Sequence, residues 1–307
     1  MANLKLQAGQ TVVITGAGSG FGLELARLAA AKGLNLVLTD VQQDALDAAV
    51  AELSAVGVQV AALRGDVSRA EDVQALADLC MERFGAPHVV INNAGVAHGG
   101  LIWEHTQRDW EWVLGVNLFG VVHGLRVFMP LMLEAARQDP TWQGHMVNVA
   151  SMAGLLNSPN MGAYNVSKHA VVSLSETLYQ DLALVTDQVH ASVLCPYFVP
   201  TGIHLSHRSR PAELRSEGKP TASQMIAQAM STKAVTSGRV TAADTAQLVF
   251  NAIEAGQFYV YTHPQALGMV QTRLEDVVQA RNPTDPFAGK PELGEQLRKA
   301  LREAMKD

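Results

Sequence analysis

Apolar runs of strand length alternate with segments of helical periodicity along most of this 307-residue chain. The runs are TVVIT (11–15), NLVLT (35–39), VQVAALR (58–64), HVVIN (88–92), HMVNVA (145–150), VHASVLC (189–195) and QFYVYT (257–262). Most are nearly continuous in apolar residues, as strands covered on both faces are. Helical patterns near 20–32, 43–55, 69–84, 107–138, 161–185 and 241–255 fill the intervals. Strand, helix and strand in succession close into a right-handed βαβ unit on a parallel sheet. The alternation therefore predicts an α/β fold, a doubly wound parallel sheet of about seven strands in three layers.

The organisation expected is a single domain over 1–262 with a lid at about 197–238, where periodicity fails and Ser, Arg, Pro and Gly accumulate. Residues 263–307 are expected as a helical extension packed on the same domain, with polar helices broken by Pro283, Pro286 and Pro291. A net charge of −6 without a basic stripe argues against nucleic acid as a partner. The opening MANLKLQAGQ has no apolar core of signal-peptide length, and no uninterrupted apolar stretch reaches membrane-spanning length, so neither export nor membrane insertion is expected. Cys80 and Cys195 are too few for a disulfide framework and lack metal-ligand spacing, which fits two buried apolar side chains in a reducing, cytoplasmic compartment.

TGAGSGFG (15–22) joins the first strand to the first helix. Gly16, Gly20 and Gly22, with Ser19 and Phe21 between them, permit backbone approaches that a Cβ would block, and the helix N-terminus beyond offers free N–H groups to a pyrophosphate. Read alone, the G-x-x-x-G-x-G spacing also fits a tight turn without a ligand; its place after a strand favours a dinucleotide. Asp40 ends the second strand, where a carboxylate accepts hydrogen bonds from the adenosine ribose hydroxyls and repels a 2′-phosphate. Neither Thr39 nor Val41 supplies a compensating cation, so NAD is expected over NADP; Asp40 as a helix cap is the alternative.

Tyr164 and Lys168 stand four apart in AYNVSKHA (163–170), one helical face, so both can reach one cleft. A phenol ordinarily titrates near 10, too high for efficient proton transfer at neutral pH, and a neighbouring ammonium is expected to lower it. Ser151 closes the fifth apolar run and lies within reach of the same pocket at the sheet's carboxyl edge, where its hydroxyl could hold a substrate oxygen.

TGAGSGFG, NNAG (92–95), Asn117, Ser151 and Tyr164-x-x-x-Lys168 together resemble the short-chain dehydrogenase/reductase family, over about residues 8–262. The resemblance implies a Rossmann-type fold, with Tyr164 as general acid/base, Ser151 polarising a carbonyl or orienting an alcohol, Lys168 on the nicotinamide ribose, and Asn117 helping to hold a proton-relaying water. It also implies cofactor contacts from the glycine loop, from Asp66 and Val67 near the adenine, from Asn93, Ala94 and Gly95, and from Val199 and Thr201 near the carboxamide. Two departures stand out: Tyr197 replaces the usual glycine of P-G-x-V-x-T, and Ala150 replaces the first of a common serine pair. Asn117 read locally is a helix kink or cap.

None of the ten histidines forms a metal-ligand pattern, and no metal is expected. Trp103, Met152, Leu155, Met161, Tyr197 and Phe198 flank the catalytic positions, which predicts an apolar substrate pocket. Trp110 and Trp112, two apart, cannot share a helix face and read as packing residues. The expectation is hydride transfer between NAD and a bulky or aromatic secondary alcohol or its ketone, in a homodimer or homotetramer. The alternatives are an NAD-sensing protein that needs no turnover and an isomerase or dehydratase on the same scaffold.

Overall fold

The computed structural model describes residues 4–216 and 218–305. Residues 1–3, part of the opening segment read for a leader, lie outside these, as do residue 217 of the expected lid and 306–307 of the C-terminal extension.

Strands β1 (Thr11–Thr15), β2 (Asn35–Asp40), β3 (Val60–Arg64), β4 (Val89–Asn92), β5 (Gly144–Val149), β6 (Val189–Cys195) and β7 (Tyr259–Tyr261) form one seven-stranded sheet in the order β3-β2-β1-β4-β5-β6-β7. Every pairing is parallel. The edge strands β3 and β7 are shorter than the apolar runs that announced them, because an edge has a ladder partner on one side only. The helices are α1 (Gly20–Ala31), α2 (Gln43–Ser54), α3 (Ala70–Phe84), α4 (Gln107–Leu114), α5 (Gly120–Gln138), α6 (Gly162–Val185), α7 (Ala222–Thr236), α8 (Ala242–Ala255), α9 (Leu267–Val278) and α10 (Pro291–Ala304).

The continuous apolar strands are explained by the two-residue period of a strand. Val12 and Ile14 of β1 belong to a core cluster with Leu25 and Ala29 of α1, Leu46 of α2 and Phe250 of α8. Val13, between them, points to the opposite layer, which holds Leu76 of α3, Phe128 and Met132 of α5 and Leu182 of α6. Three layers follow: helices, sheet, helices. Sequential connections run outward from β1 through β2 to β3 and then return to β4, so the carboxyl ends of β1 and β4 part and open a crevice.

The expected helix over 107–138 is continuous but not uniform. A π turn at Gly115–Phe119 links α4 to α5, and Asn117 sits in it. By length and composition this stretch could cross a membrane; its packing against α3, α6 and the sheet accounts for its inward apolar side. The aperiodic stretch after β6 contains 3-10 turns at Gly202–Ser209 and Ala212–Leu214 and then α7, a longer helix than its composition suggests. Thr221 starts α7 with a capping box to Gln224, which supplies the local start signal. Pro291 begins α10 at a position where its missing N–H costs nothing, and so opens a helix where a break was expected.

Candidate active site

The crevice between β1 and β4 is shaped first by the glycine loop. Gly16 has φ +65°, and a Cβ on Gly22 would lie 2.0 Å from the Gly16 carbonyl oxygen, so this turn admits no side chain at 22 without moving. Asn93 Nδ2 donates to Thr15 O at 2.8 Å and Gly16 O at 3.1 Å, while Thr15 Oγ1 accepts from the backbone N–H groups of Asn93 and Ala94 at 3.0 Å each. NNAG thereby staples the loop to β4. At the start of α1, Ser19 makes no side-chain cap bond and the first turn has no acidic residue. The terminal N–H groups of α1 thus face the cleft without an internal acceptor, whereas α4, α7 and α8 each begin with a capping box.

At the far end of β2, Asp40 is engaged on both oxygens. Gly18 N–H donates to Oδ2 at 2.9 Å and Gln42 N–H to Oδ1 at 2.9 Å. Neither donor belongs to the first turn of α2, whose N-cap Gln42 has no side-chain cap bond, so Asp40 braces the glycine loop and its own turn instead of capping the helix as the alternative had it, and each oxygen keeps a lone pair for a second donor. Asp66 Oδ1 accepts from Ser68 N and Oγ at 2.9 and 2.7 Å, which fixes the loop after β3 beside it.

Ser151 leaves the end of β5 and caps a 3-10 turn at Met152–Gly154, its Oγ accepting from Ala153 N–H at 3.1 Å. The Tyr164 phenol lies near enough to Ser151 for the serine hydroxyl to favour its ionised form. One turn along α6, Lys168 is buried; its Nζ donates to Val149 O at 2.9 Å and lies 5.9 Å from the Tyr164 ring centroid. Gly95 marks how close the last member comes: a Cβ there would be 3.4 Å from Asn117 Oδ1 and 3.5 Å from Lys168 Nζ. Asn117 is held by Val96, whose N–H donates to Oδ1 at 2.8 Å and whose carbonyl accepts from Nδ2 at 2.9 Å, and by Ser167 Oγ at 3.0 Å. Serine, tyrosine, lysine and asparagine thus meet at the carboxyl edge of the sheet.

Their electrostatics differ from the sequence expectation in one respect. Burial pushes the Tyr164 phenol up, and the Ser151 hydroxyl only partly opposes that. Burial also lowers Lys168, to about 8, so the ammonium expected to ease the phenol's ionisation is itself desolvated and is bonded to a carbonyl. In the chain by itself the phenol is a proton donor at neutral pH.

One cleft is lined by Gly16, Ser19, Gly20 and Phe21, by Asp40, Asp66 and Val67, by Asn93, Ala94 and Gly95, and by Tyr164, Lys168 and Thr201. Of the residues expected at a cofactor, Gly22 and Val199 do not line it: Gly22 is packed under the loop and Val199 is buried. The glycine cradle, the uncapped helix and the carboxylate beyond it suit a dinucleotide.

The six expected pocket residues divide. Tyr197 and Phe198 stack with centroids 4.2 Å apart, and Tyr197 meets His263 edge-on at 5.8 Å. Leu155 and Tyr197 pack on the cluster that buries Met152 with Val171 and Cys195, and none of the six lines the cleft that holds Tyr164 and Lys168. Met161 precedes α6 and bridges to Gly100, and Trp103 is 69% exposed, outside the cleft lining.

Two features escaped the sequence. Gln42, Arg208 and Ser209 also line the cleft, although Gln42 is more than 160 positions from the other two and none belongs to a motif. His98, His105 and Asp109 bring ligand-type atoms within 4.8 Å of one another. Arg210 Nη1 lies 2.7 Å from Asp109 Oδ1, the oxygen that faces His98, so a guanidinium already supplies a cation there. Asn117 carried a helix-kink signal, and the π turn is that kink.

The sequence model described as short chain dehydrogenase matches residues 10–212. The chain is similar to a short chain dehydrogenase/reductase from Burkholderia phymatum solved in complex with NAD, 50% identical, with a TM-score of 0.89 over 92% of this chain and 99% of that one. It is 32% identical over 274 residues to a CLA biosynthesis dehydrogenase/reductase of Lactiplantibacillus plantarum, covering 88% of this chain and 93% of the relative. It is 34% identical over 268 residues to a 1-deoxy-11-beta-hydroxypentalenate dehydrogenase of Streptomyces avermitilis, covering 87% of each.

Proposed function

Because this chain belongs to the short-chain dehydrogenase family of oxidoreductases, we propose that it transfers hydride between NAD and a bulky or aromatic secondary alcohol or its ketone. The reading is carried by one observation: Ser151, Tyr164 and Lys168 converge at the end of the cleft whose other end presents Asp40.

A nicotinamide in that cleft supplies a two-electron hydride acceptor or donor. The chain supplies the proton path and the positioning. In the reducing direction Ser151 Oγ donates a hydrogen bond to the ketone oxygen and Tyr164 delivers its proton to that oxygen. Oxidation runs in reverse, with Tyr164 accepting the hydroxyl proton. Lys168, fixed by Val149 O, would hold the ribose hydroxyls and pass a proton on toward Asn117. Burial of Tyr164 favours its protonated form, which suits the donor role in ketone reduction.

The preference for NAD is inferred from Asp40, whose negative charge opposes a 2′-phosphate, and agrees with the NAD complex of the Burkholderia phymatum protein. The substrate class is inferred from the apolar flank of Leu155, Tyr197 and Phe198 and from a relative named for a hydroxypentalenate. Phe119, Val166, Leu184 and Val185 expose apolar surface on or beside α5 and α6, which supports a homodimer or homotetramer, and the two buried free thiols Cys80 and Cys195 fit a reducing cytoplasm.

An NADH absorbance screen of aliphatic, aryl and steroid-like secondary alcohols tests the reading. Turnover highest with the bulky alcohols, and with a higher kcat/KM for NAD than for NADP, is the expected result. Absence of turnover with every class, or a preference for NADP, would overturn it.

A further inference from the structure

The segment after β6 crosses the cleft and is tied down on the far side. It begins at Thr201, which lines the nicotinamide end, and its 3-10 turn runs from Gly202 to Ser209. Ser206 Oγ accepts from Ala97 N–H at 2.9 Å and donates to Ile203 O at 2.5 Å, which fixes the middle of the turn to the loop after β4. Gln42 Nε2 then donates to Ser209 Oγ at 2.7 Å, a bond between residues 167 positions apart that reaches the loop after β2. Arg210 completes the attachment. Its Nη1 pairs with Asp109 at 2.7 Å, its Nε donates to Leu214 O at 2.7 Å, and its guanidinium lies 4.9 Å from the Trp112 ring centroid.

Between these anchors one cation is left over. Arg208 lines the cleft together with Gly16, Ser19 and Gly20, and its guanidinium is close enough to Gly202 that a Cβ there would stand 3.0 Å from Nη2. Among the described residues Arg208 has no hydrogen-bond or ion-pair partner. Neither carboxylate lining the same cleft is bonded to it: Asp40 takes its bonds from the backbone of residues 18 and 42, and Asp66 from Ser68. A guanidinium without an anion, opposite a glycine loop and an uncapped helix start, has the chemistry of half a diphosphate site.

We propose that Gly202–Arg210 is a clasp over the bound dinucleotide and that Arg208 pairs with its pyrophosphate. The inference rests on the dinucleotide reading above. It assigns the segment after β6 to retention of the cofactor as well as to the substrate.

NADH fluorescence titrations of the wild-type chain, Arg208→Gln and Arg208→Lys test it, with ADP and adenosine as competitors. Arg208→Gln is expected to weaken NADH and ADP by about tenfold, the loss of one charge-assisted hydrogen bond, and to leave adenosine unchanged. Arg208→Lys should recover part of the affinity. Added salt should weaken the wild type more than Arg208→Gln. In stopped-flow displacement NADH should leave Arg208→Gln about tenfold faster, and Ser209→Ala, which opens the tie to Gln42 without removing a charge, should also release it faster. Arg208 is exposed, so matching thermal melts will show that the Gln variant is folded. Equal affinity of wild type and Arg208→Gln for NADH and ADP would overturn the clasp while leaving the dinucleotide reading intact. A loss confined to NADPH would assign the guanidinium to a 2′-phosphate and overturn it as well. If the wild-type chain does not bind NADH, both inferences fall.

Discussion

The molecule buries two charged groups, Lys168 and Asp109, and surrounds only the second with several partners. Asp109 accepts hydrogen bonds from Thr106 N and Oγ1, both at 2.8 Å, and from Ser216 Oγ at 3.3 Å, and it pairs with Arg210 and His98. Burial alone would push its carboxyl up; the bonds from His98, Thr106 and Arg210 outweigh that and hold it well below the usual carboxylate range. Lys168, equally buried, has a single carbonyl partner and a lowered pKa. A structural charge is surrounded until its demand is met. A charge proposed to serve catalysis is left with capacity to spare, and the chain bears the cost of burying it.

Removing a group at each of these two places should break the comparison in opposite ways. Tyr164→Phe should reduce turnover by about 10²–10⁴-fold, the usual worth of a proton-transfer group, with NADH affinity unchanged by fluorescence titration. Asp109→Ala should leave Arg210 buried without its anion and lower unfolding free energy by about 3–5 kcal/mol in urea titrations, while the folded fraction keeps its kcat.

Lys168→Met sharpens the contrast, since it should abolish activity and yet stabilise the chain. The unfolded lysine keeps a pKa of 10.5 and the folded one is lowered to about 8, so the folded state pays for charging it below that pH. Wild-type stability should rise from pH 8 toward 10.5, as the unfolded chain retains a proton that the folded chain has shed. The advantage of Lys168→Met, on the order of 3 kcal/mol at pH 7, should shrink across the same interval in thermal melts. If the variant is less stable than wild type at pH 7, Lys168 is not an incompletely compensated charge.

Asp40→Ala is the smallest change. It should shift the ratio of kcat/KM for NAD over NADP by about tenfold toward NADP, and cost about 1 kcal/mol of stability because Gly18 and Gln42 lose their acceptor.

What the sequence revealed and what it hid divide along similar lines. The sheet, the glycine loop, Asp40, Ser151 and the Tyr164–Lys168 pair were legible because each is written locally, in a strand period, a turn or a helical spacing. The Asp109–Arg210 pair and the Gln42–Ser209 tie join residues 101 and 167 positions apart or belong to a stretch without periodicity, and only tertiary structure brings them together. The state of the Tyr164 phenol was misjudged for a related reason. Spacing locates a neighbouring amine, but desolvation depends on everything packed around both groups.

The π turn at Gly115–Phe119 also fixes how the two halves of its helix are phased. α4 carries Asp109 and Trp112 to the Arg210 anchor, and α5 carries Phe128 and Met132 to the sheet. Each residue of an α-helix advances the face by about 100°. Losing a single codon between 107 and 119 would rotate one half against the other and aim either the anchor or the core contacts at the wrong neighbours, so a change in the length of this helix should be tolerated only at its distal end.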